Sequence, residues 1–182
     1  MTSAAAKKAP STNAPAPAEP AHLGWRLVAL TYDVFPALAL VFAGSALMLL
    51  LRGGDQPQPE SAGAYVNAAW LWAVCGGYFV LSWSRGGQTL GMRPWRLRVV
   101  DEAGRTPPWR ALVSRYALAT VPAMLALGLM ALLPWSDRYV PFWIAGALAI
   151  AGPLSSLFDR DRRSLYDRFS ATRFVRLSVP AA

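Results

Sequence analysis

"RLVALTYDVFPALALVFAGSALMLLL" (Arg26–Leu51) is the stretch whose reading decides the fold. After its opening arginine it exceeds the roughly 20 residues a helix needs to cross about 30 Å of hydrocarbon. It also exceeds the roughly 7–15 residues of a signal-peptide core, so it reads as a retained span. Working outward, three more segments are nearly free of charge: Tyr65–Trp83, Tyr116–Pro134 and Tyr139–Phe158. Four such segments in a chain of 182 residues leave no room for a large soluble domain. The sequence predicts an all-α polytopic membrane protein with four transmembrane helices, at about residues 25–51, 65–84, 112–134 and 139–158.

The net charge of +8 raises the question of a nucleic-acid partner, and its distribution answers it. Of the 18 Lys and Arg residues, only Arg52 and Arg138 fall on the side of the first outer loop and the 3–4 turn. The rest lie with the N-terminus, the loop between spans two and three, and the C-terminus. That bias places both termini in the cytoplasm. Attraction to anionic lipid headgroups accounts for the basic character, and no nucleic acid is needed. The one cysteine, Cys75, falls in the middle of the second span and reads as a small buried hydrophobe.

Residues 1–21, rich in Ala and Pro, are expected to be a disordered tail. The remainder, 22–178, forms one domain with an inner loop at 85–111 and a cytoplasmic segment at 159–178. In the loop, "RLRVV" followed by "DEAGR" predicts a short β-hairpin, and the closing "TRFVRL" is strand-like and able to pair with it. Together these would make a small cytoplasmic β cap. "PWSDRY" reads as a tight outer turn. Gly76, Gly77, Gly146 and Gly152 offer surfaces where a neighbouring helix or a second copy could approach closely.

Asp33 is the residue that asks for chemistry. An unpaired charge at its depth costs on the order of 2–3 kcal/mol on insertion scales, so it must face the bundle. Arg26 shares its helix face, about 10 Å away along the axis, but leans toward the helix N-terminus and away from the carboxylate. The expected donor is Arg115, about one turn into the third span on the same side. Such a pair is either a structural clamp fixing helix register, the favoured reading, or a site where protons or cations bind and leave. Gly87, Gln88, Thr89 and Gly91 read as a tight turn leaving the second span, with Gln88 and Thr89 satisfying its backbone. Asp167, among four arginines, is expected to tie the C-terminal segment to Arg85 or Arg93.

"WRLVALTYD" (Trp25–Asp33) resembles the opening motif of the RDD family, named for one arginine and two aspartates. "GQTLGMRPWRLRVVDEAG" (Gly87–Gly104) and "SLYDRFSATRFV" (Ser164–Val175) resemble its inner-loop and closing motifs. The resemblance assigns the family charges to Arg26, Asp33 and Asp167. The chain departs from the pattern at Tyr166, where the family has histidine, at Ser170-Ala171 in place of Ala-Gly, and at Met92-Arg93. The resemblance implies a protein of the bacterial plasma (inner) membrane whose molecular activity is mostly unassigned, with sodium/proton exchange in some members.

No catalytic constellation, metal-ligand spacing or nucleophile elbow appears, so no enzyme, metal or cofactor is expected. Two functions remain. One is cation or proton transport through the buried aspartate. The other is a non-transporting accessory or scaffold role, binding a membrane partner or anionic lipid through the arginine-rich inner face.

Overall fold

The computed structural model describes residues 18–58, 61–132, 139–159 and 161–178. The expected disorder of residues 1–17 and positions 134–138 of the "PWSDRY" turn lie outside the described residues. The elements in chain order are β1 (Ala18–Pro20), α1 (Leu23–Leu51), α2 (Ala62–Gly86), β2 (Leu97–Asp101), α3 (Trp109–Leu132), α4 (Tyr139–Leu154), a 3-10 turn (Ser155–Leu157), α5 (Leu165–Phe169) and β3 (Thr172–Leu177).

The protein is mostly helical, and α1 and α2 are each long and apolar enough to cross a membrane. On α1 the buried residues Arg26, Ala29, Asp33 and Gly44 form one stripe. The rest of its surface is apolar and uncovered: Phe35 and Phe42 are more than two-thirds exposed. Helix α2 begins at the Ser61 cap, whose hydroxyl accepts from the Ala64 N–H at 3.2 Å. The long helices pack in sequence order, α1 on α2, α2 on α3 and α3 on α4.

Gly76 makes the α2–α3 contact. A Cβ there would lie 2.6 Å from Tyr116 Cε1, and the Tyr116 hydroxyl donates to the Trp72 carbonyl at 2.8 Å. The chain's own helix therefore covers Gly76, which corrects its reading as a surface for a second copy. A Cβ on Gly152 would lie 3.7 Å from Tyr166 Cε1, while one on Gly77 or Gly146 would meet nothing within 4 Å among the described residues.

The cap differs from the expected hairpin. A three-stranded antiparallel sheet forms in the order β1-β3-β2. Its central strand is the C-terminal one, with Val99 opposite Phe174 and Glu19 opposite Arg176. After β2 the chain does turn, with the Asp101 N–H donating to the Arg105 carbonyl at 2.8 Å. Thr106-Pro107-Pro108 follows, and prolines carry no N–H for a ladder, so no return strand forms, while β2 pairs with the closing strand β3 as the sequence suggested. The tail boundary also shifts: Ala18–Pro20, expected within the disordered leader, form an edge strand, and Ala21 is buried behind them.

The far edge of β2 is closed by the loop after α2. Gly87 ends that helix in the left-handed conformation (φ 72°), and its carbonyl accepts from the Val99 N–H at 2.7 Å. Gln88 Nε2 donates to the Leu97 carbonyl at 2.7 Å. The most buried apolar residues, among them Leu97, Val99, Leu112, Met92 and Trp83, lie where this cap meets the cap-side ends of the helices. The packed core is therefore a junction, away from the middle of the apolar spans.

Candidate functional site

Two carboxylates are buried at that junction, and they are built from opposite materials. Asp167 sits on α5, which begins after Ser164, and it is fully buried. Its Oδ2 accepts from Arg26 Nη1 at 2.7 Å and from the Ser164 N–H at 2.9 Å. Its Oδ1 accepts from Arg115 Nη1, which also donates to Thr172 Oγ1 at 2.7 Å. Arg26 completes its fork on backbone carbonyls, with Nη2 donating to Arg162 at 2.6 Å and Nε to Ala21 at 3.3 Å. One carboxylate thus joins α1, α3 and α5, and Arg26 adds the leader and the segment before α5.

Two guanidiniums against one carboxylate leave a surplus positive charge in a dry place. Aromatic faces absorb part of it. Arg115 Cζ lies 5.2–5.4 Å from the ring centroids of Trp83, Tyr166 and Phe174, and Arg26 Cζ lies 5.0 Å from that of Phe174. Burial by itself would raise the Asp167 carboxyl. The attraction of Arg115 and then Arg26, with the Ser164 N–H hydrogen bond, outweighs burial and holds it below the usual carboxylate range.

Asp33, about two turns along α1 from Arg26, is 4% exposed and has no ion pair among the described residues. Its donors are neutral. Oδ1 accepts from the Tyr78 hydroxyl and the Gly91 N–H, both at 2.9 Å, and Oδ2 accepts from the Thr89 hydroxyl. Gly91 is required here: a Cβ on it would run into the Ala29 carbonyl oxygen and come within 2.8 Å of Asp33 Cγ. The loop after α2 therefore lies directly against the backbone of α1.

The expected Asp33–Arg115 pair is corrected on this evidence. Side chains lean toward their helix N-terminus, and both α1 and α3 begin at the cap. The long Arg115 stem carries its guanidinium out to Asp167, whereas the short Asp33 side chain meets the loop beside it. Asp167 in turn pairs with Arg26 and Arg115 rather than with Arg85 or Arg93. Gly87, Gln88, Thr89 and Gly91 form the expected turn, but Gln88 donates to β2 and Thr89 to Asp33 rather than satisfying the turn's own backbone.

Tyr78, Thr172 and the ring of Tyr166 were missed by sequence reasoning. Tyr166 alone carried a signal, as the aromatic that replaces the family histidine next to Asp167. Ala171, standing where the family has glycine, adopts φ 50°, the left-handed region that glycine takes without strain.

A cleft of about 560 Å³ at the far end of α1 and α2 is lined by Arg52, Asp55 and Asn67, and one of about 220 Å³ by His22, Ser156 and Arg162. Neither carboxylate lines them. Among the described residues no group of three His, Cys, Asp or Glu could hold a metal ion. A family model described as RDD family matches residues 20–171 of the chain. No curated protein and no solved structure matches it.

Proposed function

The chain belongs to the RDD family, and from that premise we propose a four-span protein of the bacterial inner membrane with both termini in the cytoplasm. Helix α3 has 24 residues, and α4 has 16 with three more in the 3-10 turn. At 1.5 Å per helical residue and about 2 Å per 3-10 residue, α4 and its extension reach about 30 Å, the thickness of the hydrocarbon. Labelling of single cysteines from either side of the membrane in a Cys75→Ala background tests the topology. Reagent reaching position 105 only from outside intact cells would overturn it.

The protein acts as a non-catalytic, non-transporting accessory whose arginine-rich inner face engages anionic headgroups or a membrane partner. One observation carries this reading: each of the three family charges is engaged in holding the cap to the helices, Arg26 and Asp167 with each other and Asp33 with the loop. Arg93, Arg96 and Arg173 remain exposed on the cap. Replacing these three with Ala should reduce the anionic lipid that copurifies, most at low salt. Unchanged lipid content would remove the support.

A second reading keeps cation or proton transport. It is favoured by the absence, among the described residues, of a guanidinium or ammonium paired with Asp33. In reconstituted vesicles under sodium, potassium and pH gradients this reading expects flux that Asp33→Asn abolishes. The accessory reading expects no flux above that of empty vesicles.

A further inference from the structure

Helix α5 has one face that is used and one that is bare. Asp167 is fully buried, while Leu165 and Phe169, four residues apart and so on one face, are 53% and 77% exposed. Two residues either side of Asp167, they point away from it. The neighbouring 3-10 turn repeats the pattern, with Leu157 exposed and Phe158 92% exposed. The two patches are held together, because the Leu165 N–H donates to Ser155 Oγ at 3.0 Å. They follow directly from the end of α4, where Leu154 is also uncovered. Exposed Arg168, whose Nη2 also donates to Asp159 Oδ1, lies beside them, and Trp109, at the start of α3, is likewise exposed.

We propose that Leu157, Phe158, Leu165 and Phe169 form an in-plane membrane anchor, seated at the boundary between headgroups and acyl chains of the leaflet facing the cap. The proposal rests on the reading that α3 and α4 cross the bilayer. Lipid is the occupant because the patch begins at uncovered Leu154 at the end of α4, an exposed arginine lies beside it, and an exposed tryptophan starts α3, the helix that packs on α5. Those residue types belong at headgroup level. A five-residue helix has no hold on a membrane of its own. Its depth is set from the other side, by Arg26 and Arg115 drawing Asp167 onto the ends of α1 and α3. On this view the charge network is a positioning device for an apolar foot.

Spin labels on single cysteines test this in the full chain, reconstituted in vesicles of mixed zwitterionic and anionic phospholipid with Cys75→Ala. Labels at Phe158→Cys and Phe169→Cys are compared with Phe42→Cys, exposed on α1, and Arg105→Cys, exposed in the turn after β2. The readout is collision with oxygen against collision with a water-soluble nickel chelate. At 158 and 169 oxygen should dominate, giving values between the two references and nearer Phe42→Cys. Values equal to Arg105→Cys, with Phe42→Cys still lipid-like, would overturn the anchor alone. If Phe42→Cys also behaves as in water, the membrane-spanning reading fails and the anchor with it. Dipolar broadening between labels at 169 would put a second copy there and overturn lipid as the occupant. Asp167→Asn, or the milder Arg26→Gln if that variant does not fold, should shift the label at 169 toward water while Phe42→Cys stays put. An unchanged value would overturn the positioning role.

Discussion

The two buried carboxylates solve one problem in two ways. Asp167 is neutralised by charge: two guanidiniums meet it, and aromatic rings spread what is left over. Asp33 is satisfied by geometry: a phenol, a threonine hydroxyl and one backbone N–H converge on it, with no ion pair among the described residues. The difference follows from side-chain length and helix direction. Arginine stems reach from α1 and α3 out to the cap, whereas the cap must come in to a short aspartate, which it does through a loop whose closest approach to α1 is at Gly91. Asp167 therefore holds a segment in place by attraction, and Asp33 holds a loop by fit.

The most severe test of that contrast is Asp167→Asn, which leaves two buried guanidiniums facing a neutral amide. Loss of the partner of buried charges should destabilise by on the order of 3–5 kcal/mol, read as thermal unfolding in detergent. If Asp33→Asn costs as much, the contrast between the two sites is broken. Gly91→Ala comes next. Its Cβ meets the Ala29 carbonyl, so the loop must lift and the carboxylate loses an N–H, at roughly 1–3 kcal/mol and with faster proteolysis of the loop. Thr89→Val removes the one donor to Asp33 Oδ2 among the described residues at nearly constant shape and should cost about 1–2 kcal/mol.

Acidity separates the sites further. The Asp167 carboxyl is depressed in the folded protein, so its contribution is complete above the ordinary unfolded value of about 4 and disappears only as pH falls through the lower folded value. The gap in melting temperature between wild type and Asp167→Asn should stay constant from pH 7 to about 4 and close below that. A gap that closes between pH 7 and 5 would mean the carboxyl is raised instead. The smallest effect is a gain. Ala171→Gly relieves a left-handed alanine three residues before the Phe174 ring that both arginines share, and should stabilise by under about 1 kcal/mol.

The apolar segments, strands β2 and β3 and the charged motif residues were legible because each is written locally, as a run, an alternation or a lone charge in apolar surroundings. The partners were not. Arg115 was named as the donor for Asp33 on depth along the helix axis, because the lean of side chains applied to Arg26 was not applied to the long Arg115 stem, which ends on Asp167. Thr89 and Gly91 were recognised as a turn, and nothing in the turn itself says that it folds back against α1. The strand at Ala18–Pro20 was hidden in an Ala/Pro-rich leader, since three residues carry no alternation and only β3 gives them a partner.

From the sequence by itself came the class of protein, the membership of its family and the roster of charges that could not be left in lipid, since hydrophobic length and the penalty on unpaired charge are properties of short windows of chain. Which charge meets which, that β3 takes the middle of the sheet, and that one face of α5 is buried while the other is bare were decided only in three dimensions. Hydrogen bonds and ion pairs act over about 3 Å, and residues 52 to 141 positions apart reach that range only once the helices have packed.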